Sequence, residues 1–170
     1  MTFSLISCKG VSTKNHVHNN QDKDIELIPL TDQYAIFPSP IGVVSDYSNV
    51  FSQEEEDELL KILFDSKALT EKQVVIVTID TISPYDDIQE YATELGNRWG
   101  VGSLNENNGL VVVLSKSLRK VGIATGLKTE LTLTDSICLG TIEKIMIPEF
   151  QNGNYYQGIK FGLEDLLSKW

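Results

Sequence analysis

The sequence predicts an α/β fold, a three-layer α/β/α sandwich on a small mixed sheet, and three observations carry that expectation. The run from Gln73 to Ile79 (QVVIVTI) is largely β-branched and apolar enough to be buried on both faces. A helical stripe follows it and a second apolar strand follows the helix, which requires a parallel pair joined by a right-handed crossover. A short polar turn then leads into an antiparallel neighbour, and the remaining helices must cover both faces of the sheet.

Taken in order, the elements begin at Ser52-Gln53-Glu54-Glu55, a capping box whose glutamates sit at the positive end of a helix dipole. Leu59, Leu60, Leu63 and Phe64 recur at helical spacing, so the first helix is expected over about residues 53–66. After the strand, Ser83-Pro84 offers an N-cap followed by proline at the first helical position. Ile88, Tyr91, Ala92, Leu95 and Trp99 form the stripe of the second helix. Residues 110–114 and 119–125 read as two strands joined by Ser115-Lys116-Ser117-Leu118. Thr134 caps a third helix that Pro148 should end, and a fourth runs from about Tyr155 to Ser168. Gly158 and Gly162, four apart on it, point to close helix packing.

Residues 1–40 are set apart as a flexible leader and residues 41–170 as the folded domain. Within the leader, Leu5-Ile6-Ser7-Cys8 is similar to a bacterial lipobox, whose cysteine carries the lipid. A secretory signal also needs a basic region and a longer apolar stretch. Only five residues lie between Met1 and Ser7, none of them basic. Either the true start lies upstream of Met1 and Cys8 is a lipidation site, or the match is chance. With Cys8 lipidated, the protein would sit in the cell envelope, outside the cytoplasm.

Charge and histidine count remove whole classes of chemistry. The chain carries 14 basic and 24 acidic residues, a net charge of −10, which disfavours nucleic acid as a partner. Three lysines against four acidic residues in the first forty leave the acidity in the domain. Both histidines, His16 and His18, lie in the leader, so Ser-His-Asp, Cys-His and histidine-ligated metal chemistry have no histidine within the domain. Cys8 and Cys138 make no disulfide framework, and Cys138 reads as a small buried residue.

Connectivity brings one set of loops together. The second helix ends where the next strand begins, and the antiparallel strand finishes at that same end. Asn107, Asn108, Glu130 and Asp135 should gather there, with oxygen ligands suited to calcium or magnesium. The competing reading is plain: Asp135 favours a helix start, Asn-Gly is a turn signal, and Glu130 is solvated. Asp46 reaches this cluster if residues 41–51 are an extended approach, but falls at the opposite end if Val43 to Ser45 is a parallel strand.

The order and spacing of several short stretches resemble the TPM domain, also described as TPM phosphatase and as the thylakoid-lumen, photosystem-repair type. They are Val44-Ser45-Asp46-Tyr47, Trp99-Gly100-Val101-Gly102, Asn108-Gly109, Arg119, Gly126, Glu130, Leu133-Thr134-Asp135 and Pro148-Glu149-Phe150 with Gly153 and Gly158. The likeness runs through residues 41–170. It implies an α/β/α sandwich, and it brings associations with acid phosphatase activity, divalent cations, envelope attachment and membrane-protein repair. The chain departs from the pattern at Asn107, where relatives often carry Asp, at Leu118, an acidic position before Arg119, and at Leu127-Lys128 in place of Tyr-Gly. One carboxylate fewer and one lysine more weaken the expected Ca²⁺ or Mg²⁺ site, here assigned to Asp46, Asn108, Glu130 and Asp135.

Two functions follow as expectations. One is a non-catalytic envelope module that binds a membrane-protein or other envelope partner and supports assembly or turnover. The alternative is a divalent-cation-dependent phosphomonoester hydrolase, with Arg119 binding phosphate and water attacking, since no nucleophile or other catalytic residue is identifiable.

Overall fold

The structure is a computed structural model that describes residues 36–103 and 106–170. Cys8 and most of the leader lie outside the described residues. Four strands, β1 (Val44–Asp46), β2 (Gln73–Thr78), β3 (Gly109–Ser115) and β4 (Lys120–Thr125), form one sheet in the order β1-β2-β3-β4. The first three are parallel and β4 is antiparallel to β3, which makes the mixed sheet that the sequence predicts.

The β-branched runs explain the two-sided core. Successive side chains of a strand point to opposite faces, so Val74, Ile76, Leu110, Val112 and Leu114 enter one apolar cluster. Val75, Val77, Val111 and Val113 enter the other. The first cluster lies under helix α1 (Gln53–Thr70) and the C-terminal helices, the second under α2 (Ile88–Trp99). Each fully buried Ile or Leu contributes about 1.5–3 kcal/mol by leaving water, and every residue of β3 is buried.

Helix α1 starts on the expected capping box: Ser52 Oγ accepts from the Glu55 amide at 3.3 Å, and Glu55 Oε2 accepts from the Ser52 amide at 2.8 Å. It runs a turn further than predicted, to Thr70, and Glu71 ends it in the left-handed region. Helix α2 starts later than Ser83-Pro84, because the Asp87 carboxylate caps it by accepting the Gln89 amide at 2.7 Å. Ser83-Pro84 lies in the preceding turn.

Pro148 does not stop the third predicted helix. Helix α4 (Asp135–Thr141) passes through a π-helical segment (Ile142–Met146) into α5 (Ile147–Gln151), and Pro148 occupies the first turn of α5. The Ile147 amide reaches back to Ile142 O, five residues earlier, and this widened register carries the chain past a residue with no N–H to give. Helix α6 (Tyr155–Lys169) then packs on this segment through two glycines that leave room for its side chains: a Cβ on Gly158 would meet the Phe150 ring at 2.4 Å, and one on Gly162 the Met146 Cε at 2.2 Å. A four-residue helix, α3 (Leu127–Glu130), completes the fold.

Two polar clasps tie the layers. Buried Gln89 donates Nε2 to Ile123 O at 2.7 Å and accepts the Ile123 amide on Oε1 at 3.1 Å, so a side-chain amide fills the outer edge of β4. On the other face, Glu58 of α1 accepts from Tyr156 and from Lys160 of α6, the latter at 2.9 Å. These two hydrogen bonds, Tyr156 first, hold the Glu58 carboxyl below the usual range, and the Glu58 carboxylate raises Lys160.

Two outcomes are expected. Gln89→Met leaves both Ile123 groups unpaired, at about 1–3 kcal/mol each; urea unfolding should show a loss of ~2–6 kcal/mol with an unchanged m-value. The Glu58 clasp stabilises fully above the ordinary glutamate value of 4.5 and is lost as pH falls through its lower folded value. Glu58→Gln should therefore flatten part of the acid limb of a melting-temperature profile below pH 4.5.

Candidate functional site

The amino end of the sheet is shaped by backbone approaching backbone. A Cβ on Gly109 would lie 2.2 Å from Val101 O, and one on Gly126 would lie 2.2 Å from Asn107 O. The loops that end α2, begin β3 and end β4 therefore stack at a separation that only glycine permits. Gly126 donates to Gly109 O at 2.9 Å and Lys128 to Asn107 O at 3.2 Å, which locks the start of α3 onto this stack.

Beside that stack lies a cleft of about 460 Å³. Thr93, Gly96 and Asn97 of α2 form one wall, while Val111 and Ala124 are contributed by the sheet. Asn107, Leu127 and Glu130 complete the part facing solvent. Lys128 pairs with Glu106 near the same loops, and both side chains are exposed. The cation that the sequence introduces here is thus matched by an acid from the neighbouring loop.

The residues nominated from sequence are dispersed. Glu130 is half-buried in the cleft lining, and Asn107 joins it. Asn108 is engaged in the loop itself: Oδ1 accepts the Ser103 amide at 2.9 Å and Nδ2 donates to Glu71 O at 3.0 Å. Asp135 stands at the first position of α4, outside the cleft lining.

Asp46 is at the opposite end. It pairs in register with Thr78, whereas Asn108 precedes Gly109, the partner of Gln73. Five strand steps separate those ends, roughly 17 Å at the usual rise. The reason is that Val44–Asp46 is a parallel strand and not an extended approach. Both Asp46 oxygens are engaged: Oδ1 accepts the Val50 amide at 3.0 Å and the Thr78 hydroxyl, and Oδ2 accepts the Phe51 amide at 2.9 Å. Arg119 shares that far end, in the β3–β4 hairpin.

A hard cation takes six to eight oxygens in one sphere. Asp46, Asn108, Glu130 and Asp135 do not form one, and among the described residues no three His, Cys, Asp or Glu side chains gather as a metal site. Among the described residues lining the cleft, Glu130 is the one carboxylate. What this cleft can do chemically is bind, through amides, a hydroxyl and an apolar floor.

Sequence reasoning missed the α2 wall. Thr93 and Asn97 are four apart, flanking Gly96 and beside the buried Ala92 and Leu95, and a helical projection of residues 88–99 exposes that stripe. Gly126→Ala should force the β4–α3 loop outward and cost ~1–3 kcal/mol. Amide chemical shifts at Asn107 and Lys128 should move most, and an unchanged spectrum there would mean the stack is loose.

Comparison with known proteins bears on the same region. Residues 44–169 match the sequence model of the TPM domain. No curated protein matches. The solution structure of an N-terminal domain from P. gingivalis is similar at 30% identity and a TM-score of 0.68, over 74% of this chain and 80% of that one. An N-terminal domain from Corynebacterium glutamicum shares the fold at 17% identity and a TM-score of 0.60, over 92% of this chain and 88% of that one.

Proposed function

The chain belongs to the TPM domain family, and from that premise we propose that it is a non-catalytic binding module of the cell envelope, supporting assembly or turnover of membrane proteins. The observation that carries the reading is the division of polar groups between the two ends of the sheet. Among the described residues Glu130 lies in a cleft otherwise lined by neutral side chains and glycine backbone, while Asp46 and Arg119 stand about a strand length away. Metal-dependent hydrolysis of a phosphomonoester by water needs the metal, the phosphate-binding side chain and the attacking water within one site. Binding needs only a shaped surface with a few convergent polar groups, and the cleft has these.

The envelope placement rests on the Cys8 segment. Among the described residues no helix is long and apolar enough to cross a membrane. Attachment in this reading is through a lipid on Cys8. The occupant of the cleft would be a segment of an envelope or membrane protein, held by Asn97, Asn107 and Thr93 over Val111 and Ala124.

The hydrolase alternative makes a sharply different prediction. The binding reading expects no release from a generic phosphate ester, with or without millimolar calcium or magnesium, in the wild type and in Glu130→Gln alike. Metal-dependent turnover that Glu130→Gln abolishes would replace this proposal with the hydrolase. For the envelope part, expression of the full chain and of Cys8→Ser should show the wild type in the membrane fraction and the variant released; equal distribution removes the lipid anchor.

A further inference from the structure

A second cleft, of about 450 Å³, opens at the carboxyl end of the parallel strands and is lined by Ser48, Asp80, Lys116, Ser117, Arg119 and Tyr155. Open α/β sheets bind ligands preferentially outside the carboxyl ends of their strands. Lys116 and Arg119 belong to the four-residue hairpin between β3 and β4, where the Arg119 amide donates to Lys116 O at 3.3 Å. Neither is in an ion pair among the described residues. Lys116 Nζ stands 5.0 Å from the centre of the Tyr155 ring, which Phe150 backs at 5.6 Å and 22°.

Two details suggest that this end is arranged for a ligand. Arg119 holds a left-handed backbone, φ 54°, at a position where glycine would be at ease. Among the described residues the Ser48 Oγ is buried without a hydrogen-bond partner, an unusual state for a hydroxyl and one that its rotation toward a bound acceptor would relieve.

We propose that this cleft binds a carboxylate, with the Arg119 guanidinium and Lys116 ammonium donating to its oxygens and the Ser48 hydroxyl completing the set. Charge selects the class. Two cations against the Asp80 carboxylate leave one net positive charge, which a monoanion balances and a phosphate dianion exceeds. A planar carboxylate also matches the paired N–H groups of guanidinium. The Tyr155 ring gives this pocket apolar surface. The site is independent of the binding function assigned to the amino-end cleft, and either can fail without the other.

The test is an amide chemical-shift titration of the full chain with four probes: acetate, inorganic phosphate, N-acetyl-Ala-Ala bearing a free carboxylate, and the same dipeptide as its C-terminal amide. Saturable shifts at Ser48 and Lys116 to Arg119 are expected with the two carboxylates and not with the amide. A tighter dipeptide assigns the end of a polypeptide chain, and equal affinity assigns a small organic acid. Arg119→Gly should weaken binding by about tenfold or more, the usual worth of a charge-assisted hydrogen bond. Its melting temperature should hold or rise, because glycine suits that backbone. Lys116→Gln should weaken binding without touching the backbone. Equal response to carboxylate and amide, no saturable shift up to tens of millimolar, undiminished binding in Arg119→Gly, or tighter binding of inorganic phosphate than of acetate would each overturn the assignment.

Discussion

Everything at the amino end of this domain depends on three chain segments crossing without side chains between them. Gly109 lies against the Val101 carbonyl, Gly126 against Asn107, and Gly102, itself at φ 102°, against the Gly109 amide. Contacts this close are made by main-chain atoms, so they have no rotamers with which to adapt. The direction in which α2 leaves the sheet and the point where β4 stops are fixed together. The cleft is the space left beside that crossing, and its shape is a consequence of backbone geometry more than of the side chains that line it.

The charge distribution separates the two ends in a way the total of −10 conceals. Three of the 24 acidic residues, Glu54, Glu55 and Glu56, stand at the start of α1 against the helix dipole. Lys128 at the amino end is matched by Glu106. At the carboxyl end, Lys116 leans on an aromatic ring and Arg119 has no acidic partner within ion-pair distance among the described residues. An acidic protein can thus present a local positive face, because attraction over a few ångströms outweighs a net charge screened beyond a Debye length of about 8–10 Å.

The strands, the α2 stripe and the mixed sheet were legible because each rests on local periodicity. Val74 to Thr78 and Leu110 to Leu114 could be buried on both faces only inside a sheet covered twice. Element boundaries were less legible where two local signals compete: Asp87 supplies the cap that Ser83-Pro84 offers in sequence, and a widened turn lets Pro148 stay within a helix. The site was read least well. Whether Asp46 joins Asn108 depends on whether three residues pair as a strand, and no pattern in Val-Ser-Asp decides that. Once β1 pairs with β2, the end of the sheet to which Asp46 belongs follows from direction alone, and so does its distance from Glu130.

The Gln89 amide has a consequence for the molecule in company. The outermost strand of an open sheet is a template on which another chain can add itself, ladder bond by ladder bond. At the centre of β4 the outward N–H and C=O of Ile123 already hold a partner, and it is buried. An incoming strand would have to evict that partner before gaining its first central bond. The side chain thus works as a stopper: it keeps a sheet of four strands from becoming a sheet of eight.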